Sequence, residues 1–417
     1  MTTYDTLWAE LEPIGRDPGT GGYRRFAFDT AELDCREWFV STAEARGLDV
    51  ETDRNGNLWA WWSPAGVDAS RPALVIGSHL DSVPDGGAYD GPLGVVSAFA
   101  ALDTVRAAAV QLNRPLAVVA FADEEGARFG IACAGSRLMT GQLSAAKARS
   151  LVGRDGITMA EAMRSAGFDP GSLGPDPQRV ARIGEFVELH IEQGRHLIEQ
   201  GAAVGVAESI WPHGRYRFTF RGVADHAGTT RMQDRHDPMV AYAHAALAAD
   251  AAARAADSRA TFGRIEVEPN GTNAVPSVVR AWLDARAADQ PTLDALVERI
   301  SGGASDGARS SGTEVEVSTE STTPLLSFDV SLRDRVAAVV AASRPTGATG
   351  GVPVLPTAAG HDAGILTSVG VRSAMLFVRN PTGISHSPSE FAEPVDCNAG
   401  VDALAAVVTD LASADNR

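Results

Sequence analysis

Short apolar runs recur along the chain, and several end in loops rich in Gly or in acidic residues. Ala73-Leu-Val-Ile76 and Pro115-Leu-Ala-Val-Val-Ala-Phe121 read as buried strands. Phe186-Val-Glu-Leu-His-Ile-Glu-Gln-Gly194 reads as a strand running into a loop. Leu93 to Val110 is expected to be a helix, and Asp29 to Arg46 has helical spacing that Gly47 stops. Leu48 to Asp53 and Asn57 to Trp62 predict strands around the turn Arg54-Asn-Gly56. Strand, helix and strand in this order belong to a mostly parallel sheet whose chemistry lies at the strand ends. Residues 140–182 carry helical and loop segments with no recognisable chemistry.

After Trp211-Pro-His-Gly214 the pattern changes. Strands are expected at 215–222, 261–268, 278–285 and 313–319, with helices at 238–256 and 293–300. This β-α-β-β-α-β order is a four-stranded α+β unit. The Gly/Ser run at 301–312 reads as a surface loop. The chain then returns with a helix at 329–342, a loop at 357–363, a strand at 373–378, a loop holding Ser385-His386 and a helix at 398–411. The expected fold is α/β: a mixed, mostly parallel sheet with helices on both faces, in two parts at 1–211 and 324–417. The α+β unit, 212–323, is inserted between them.

Composition narrows the class of partner. The chain has 417 residues, 44% hydrophobic and 21% charged, with a net charge of −17, which argues against nucleic acid or an anionic membrane as a partner. Three cysteines without metal-type spacing fit a reducing cytoplasm better than a disulfide framework. The first ten residues are expected not to be a signal peptide, and no apolar run is long enough to span a bilayer.

The polar groups at strand ends then become informative. His79 and Asp81 follow the first apolar run, and Asp90 lies in the Gly/Pro-rich loop after it. Glu124 and Glu125 follow the second run, His190 lies in the third, and His361 and His386 come from loops near the C-terminus. Singly, each is best read as an ordinary polar residue. Together, two His, one Asp and one Glu from loops at one sheet edge complete a two-metal site. A bridging Asp90 would let each ion take one His. Asp81 is placed to hold the His79 imidazole in one tautomer. Adjacent Glu124 and Glu125 cannot point the same way, so one suits a metal and the other a general base.

At this point the sequence resembles a known family. The motifs are Gly77-Ser-His-Leu-Asp-Ser-Val, Tyr89-Asp-Gly-Pro-Leu-Gly, Asp123-Glu-Glu-Gly, Glu188-Leu-His-Ile-Glu-Gln-Gly, Asp225-His-Ala-Gly-Thr-Thr, Asn273-Ala-Val-Pro, Gly360-His-Asp-Ala and Ser385-His-Ser-Pro. They are similar to the dinuclear-metal aminoacylase and carboxypeptidase clan, in its hydantoinase/carbamoylase amidase branch. The resemblance implies His79 and His190 on one divalent ion, Glu125 and His386 on the other, and Asp90 between them. It implies Glu124 as general base, and Gln193, His226, Asn273, Arg286 and the loop at Gly360 as substrate contacts. The inserted domain would be a lid and dimerisation domain, with His226 acting in the partner subunit's site of a homodimer. The loop Pro356-Thr-Ala-Ala-Gly360 departs from the family's usual Ser-Gly-Ala-Gly pattern.

The implied reaction is hydrolysis of a ureido group on a small carboxylic acid, with manganese or zinc and with cobalt or nickel also compatible. Arg286 would fork the carboxylate, and His226 would hold the developing oxyanion. Gly21-Gly-Tyr-Arg-Arg-Phe, Asp53-Arg-Asn-Gly-Asn-Leu-Trp-Ala-Trp-Trp and Phe377-Val-Arg-Asn-Pro-Thr-Gly-Ile-Ser-His resemble allantoate-cleaving members, so allantoate is the expected substrate. N-carbamoyl-L-amino acids are the alternative, and a dipeptidase or aminoacylase reading stands behind both. Arg215 and Arg379 are candidate partners for allantoate's extra polar groups.

Overall fold

The computed structural model describes residues 2–344 and 351–413. The chain divides into two compact units, Met1–Glu208 with Ser327–Arg417, and Ser209–Leu326.

In the larger unit the principal strands lie in the spatial order Asp49–Thr52, Leu58–Trp62, Leu116–Phe121, Ala73–His79, Ile183–Ile191, Arg372–Val378 and Val204–Ile210. The central four are parallel, and the flanking pairs are antiparallel. The register decides what this sheet can do. His79 lies opposite Phe121, Gly77 opposite Glu188, and Phe377 opposite His190. All four parallel strands therefore end at one edge, where an open α/β sheet gathers its loops.

Alternation along Ile183–Ile191 separates packing from chemistry. Val187, Leu189 and Ile191 join the core formed with Val95, Val96 and Phe99 of helix Pro92–Ala107 and Leu404 and Val407 of helix Pro394–Ser413. Glu188 and His190 take the opposite face, because successive side chains in a strand point to opposite sides. Gly77 is required by close approach: its φ is +147°, and a Cβ there would lie 2.0 Å from the Val119 carbonyl oxygen of the neighbouring strand.

Two stretches that resemble allantoate-cleaving members have structural work of their own. In the first, the Tyr23 N–H donates to Gly86 O at 3.0 Å, and Arg25 and Ser82 exchange two bonds at 3.0 Å. The buried Arg25 guanidinium donates to Ile14 O and Leu11 O. This segment straps the loop that leads to Asp90. In the second, Asp53 accepts from the Asn55 and Asn57 backbone, Asn57 Nδ2 and Trp59 Nε1. Asn57 Oδ1 then accepts from Ala122 N at 3.0 Å, which ties the hairpin to the base of the Glu124 loop.

The smaller unit is a four-stranded antiparallel sheet in the order Glu314–Thr323, His213–Arg221, Val278–Arg286 and Arg259–Glu268. Helices Pro238–Ala255 and Gln290–Ser310 cover one face of it over Phe218, Phe220, Val279 and Leu283. The second helix corrects the loop expected at 301–312. Leu296, Ile300, Ala304 and Ala308 are all buried along it, so the helical face continues through the glycines. A Cβ on Gly303 would come 2.4 Å from Ala248 Cβ, and one on Gly307 would come 2.6 Å from His244 Cβ. The glycines are where the two helices touch, and that packing overrides their poor helix propensity. Among the described residues, no helix is long and apolar enough to cross a membrane.

Candidate metal centre

Four strand-end loops of the larger unit converge on Asp90. Its Oδ1 lies 3.1 Å from His190 Nε2 and 3.7 Å from His79 Nε2. Its Oδ2 lies 3.3 Å from His386 Nε2, which is itself 3.5 Å from Glu125 Oε2. Two sets of donors result, His79 with Asp90 and His190, and Asp90 with Glu125 and His386. Within each set the donor atoms lie within 4.8 Å of one another. A third set, Glu188 with His190 and His361, adjoins the first.

The tautomers follow from the backbone. His190 Nδ1 lies 2.9 Å from Ile191 O, and His79 Nδ1 lies 3.1 Å from Asp81 O. Each Nδ1 therefore carries a hydrogen, and in the neutral ring each Nε2 presents a lone pair to the Asp90 carboxylate. Both Nε2 atoms are buried without a hydrogen-bond partner among the described residues, as is Glu125 Oε1. Lone pairs facing a carboxylate repel unless a cation lies between them, so this donor set fits divalent metal.

The charge balance points the same way. Burial pushes Glu125 up to about 8, and Asp90 beside it adds to the shift. The hydrogen bond to Asp90 lifts His386 to about 9. Burial alone would lower His79, but Glu124, Asp81 and Asp90 override it and raise it well above the usual imidazole range. Burial also raises Glu124 far above an ordinary carboxylate. Carboxylates and imidazoles are thus crowded together away from water and raise one another's hold on protons, a place that a divalent cation would fill.

Glu124 stands beside both sets without joining either. Its Oε2 is 3.8 Å from His79 Nε2, and its Oε1 accepts from the Cys133 thiol at 3.3 Å. The backbone beneath it is fixed. Asp81 accepts from Glu124 N at 3.1 Å and from Glu125 N at 3.0 Å, and Cys133 N donates to Glu124 O at 2.6 Å. Asp81 thus steadies His79 through its carbonyl, while its carboxylate, 3.5 Å from that ring, fixes the Glu-Glu turn. Gln193 donates to Asp90 Oδ2 at 2.8 Å and to Ser385 Oγ at 3.1 Å. The His361 ring packs edge-on to His190 at 4.6 Å, with the exposed Gly360 just before it.

The remaining predicted contacts lie in the smaller unit. The short strand Asp225–His226 pairs with Ala274–Val275, which puts His226 beside Asn273. His226 Nδ1 accepts from Gly228 N at 3.0 Å and Thr229 N at 3.2 Å, so its hydrogen sits on Nε2. Arg286 is held by Asp284, at 2.7 Å through Nε and 3.1 Å through Nη2. Arg215 lies 3.5 Å from the same carboxylate, and Arg379 makes a two-bond pair with Asp396.

Sequence reasoning passed over three buried acids. Glu188 accepts from Ser78 Oγ and Ala363 N, and Asp362 accepts from Ser136 Oγ. Glu390 accepts from the Tyr89 and Asp90 backbone. Glu188 had a signal, since a charged residue two positions before His190 in an apolar strand shares its face. Glu390, five residues beyond Ser385 in a polar loop, had none.

With this geometry in hand, comparison with known proteins is specific. The model for Peptidase family M20/M25/M40 matches residues 75–410. The N-carbamoyl-L-amino acid amidohydrolase of Geobacillus stearothermophilus is 36% identical over all of both chains. The allantoate amidohydrolase of Escherichia coli K12 is 30% identical over 96% of each. The crystal structure of a hydantoinase/carbamoylase family amidase from Burkholderia ambifaria superposes with a TM-score of 0.80, at 29% identity over 100% of this chain and 98% of that one.

Proposed function

Because the chain belongs to peptidase family M20/M25/M40, we propose that it is a metal-dependent amidohydrolase that removes the carbamoyl group from a small α-ureido acid. The observation that carries this reading is the pair of donor sets sharing Asp90, with Glu124 alongside. His79, Asp90 and His190 would hold one divalent ion, and Asp90, Glu125 and His386 the other. Ions bound there supply Lewis acidity and make a water a better nucleophile.

The side chains do the rest. Glu124 takes the proton of the attacking water and returns it to the leaving nitrogen, and its place beside both donor sets but in neither suits that exchange. The C–N bond between the carbamoyl carbon and the substrate's amine nitrogen breaks, giving the amine and carbamate, which then falls apart into ammonia and carbon dioxide. Gln193 Oε1, buried and without a hydrogen-bond partner among the described residues, is an acceptor suited to a ureido N–H. The Nε2–H of His226 is a donor suited to the oxyanion, and Arg286, steadied by Asp284, is a fork suited to the carboxylate.

N-carbamoyl-L-amino acids and allantoate share one feature, a ureido nitrogen and a carboxylate on the same carbon. Between them, the N-carbamoyl-L-amino acids lead. The relative of 36% identity carries that name, and the two N-terminal stretches that suggested allantoate are occupied as straps. Allantoate is the second reading, favoured by the relative of 30% identity named for it. The test is ammonia release from both substrate kinds after chelation and manganese reconstitution, with Glu124→Gln as the blank. Silence on every ureido acid, with metal bound, would overturn the reading.

The proposal includes a homodimer in which His226 serves the partner subunit's site. Mixed subunits check it. In a heterodimer of Glu124→Gln and His226→Ala, one site carries both defects and the other carries none. Equal mixing of two inactive proteins is expected to restore roughly a quarter of wild-type turnover through two-fold symmetry. No recovery after proven subunit exchange places His226 in its own subunit's site or outside the reaction.

A further inference from the structure

Asp90 is held from behind as well as from the front. Glu390 is 5% exposed, and its Oε1 accepts from Tyr89 N at 2.9 Å and Asp90 N at 3.0 Å. Its Oε2 lies 3.2 Å from Ser385 Oγ, and that hydroxyl lies 3.3 Å from Asp90 Oδ2. One carboxylate thus grips the backbone of Asp90 and the loop that carries His386. These segments are about three hundred residues apart in the chain, and Glu390 spans the gap with short bonds. Next to it, Phe391 packs edge-on to Tyr89 at 6.3 Å, and Trp8 stacks on the same tyrosine at 4.7 Å.

The approach depends on Gly87. A Cβ there would lie 2.3 Å from Glu390 Oε1 and 2.4 Å from its Cβ and Cδ. The backbone of Gly87 is outside the left-handed region, so an alanine would fit the main chain but collide with the Glu390 side chain, at its Cβ as well as its carboxylate. The loop is therefore shaped to admit Glu390 against it.

We propose that Glu390 is a positioning residue of the metal centre: it locks Asp90 to the His386 loop and so sets the spacing of the two donor sets. Buried polar partners behind metal ligands orient them and tune affinity. This inference rests on the reading of Asp90 and His386 as ligands. It adds a residue that contacts neither the donor face of Asp90 nor any reacting atom, and that acts by fixing where Asp90 stands. A glutamine at 390 keeps one oxygen for the two N–H groups, and its amide donates to Ser385 Oγ in place of accepting. The hydroxyl is then free to donate to Asp90, so the arrangement survives the loss of charge.

The test titrates manganese into metal-free protein, against a competing chelator, for wild type, Glu390→Ala, Glu390→Gln, Gly87→Ala and His386→Ala. The thermal midpoint of each metal-free protein and the absorption spectrum of each cobalt-loaded one are recorded alongside. Glu390→Ala and Gly87→Ala are expected to weaken manganese binding by about tenfold or more and to shift the cobalt spectrum, measured below the metal-free midpoint, which itself falls as the buried N–H groups lose their acceptor or the side chain is displaced. Glu390→Gln is expected to stay within about threefold of wild type, since it keeps the acceptor that orients the ligand. Wild-type affinity in Glu390→Ala, or equal weakening in Glu390→Gln, overturns the inference. If Glu390→Ala does not fold, Gly87→Ala carries the same thresholds. His386→Ala separates the two readings: unchanged affinity there overturns the ligand assignment itself, whatever Glu390 does, and no arm needs a substrate.

Discussion

Glu124→Gln is expected to lower kcat by at least about a hundredfold while the protein keeps its fold and its metal. The variant is nearly isosteric, and the backbone on which it sits is fixed independently of the side chain. Asp81 holds Glu124 N, and Cys133 N holds Glu124 O. Neither donor set includes Glu124, so metal binding has no reason to fall. What is lost is the proton acceptor beside His79. An amide can still donate and accept hydrogen bonds, but it cannot carry a proton from water to the leaving nitrogen. Steady-state rates on the best ureido acid, with metal content measured on the same preparation, check this. A variant that keeps a tenth or more of wild-type kcat would remove Glu124 from the role of base.

Asp90→Ala is expected to do more. It removes the only carboxylate common to both donor sets. Three imidazoles, His79, His190 and His386, then face one another with no anion between them. Affinity for both ions should fall by about a hundredfold or more, and activity should disappear with them. Asp90→Asn tests the cause, since it keeps the shape and the bond from Gln193 through the amide oxygen but loses the charge. Metal content after dialysis against a mild chelator is the measurement. Two ions retained in Asp90→Ala would show that the sets are independent, and a single loss would assign Asp90 to one set alone.

Much of this site could be read from residue order because its donor groups sit where apolar runs stop. His79 closes one strand, Glu124 and Glu125 follow another, and His190 lies in a third. A parallel sheet brings such ends to one edge whatever the loops between them do. The same logic hid what acts sideways. Glu390 meets Asp90 only because two distant loops fold together, and nothing in Ser-Pro-Ser-Glu-Phe marks that glutamate as buried. The glycines of 301–312 signalled a loop, since helix propensity is a local property and the packing of one helix on another is not. The strap of Tyr23 and Arg25 could be recognised as a likeness but not assigned a task, because its bonds are to a segment some sixty residues away, Gly86 O and both the backbone and hydroxyl of Ser82.

Glu390 and His386 also set the order of events at biosynthesis. Asp90, Glu125 and His190 emerge first, the 209–326 unit follows, and only then do His386 and Glu390 arrive. Until residues 386–390 have left the ribosome, the second donor set lacks its imidazole and Asp90 lacks its clamp. A chain made only as far as the 209–326 unit can therefore assemble the His79, Asp90 and His190 donors but not the second set.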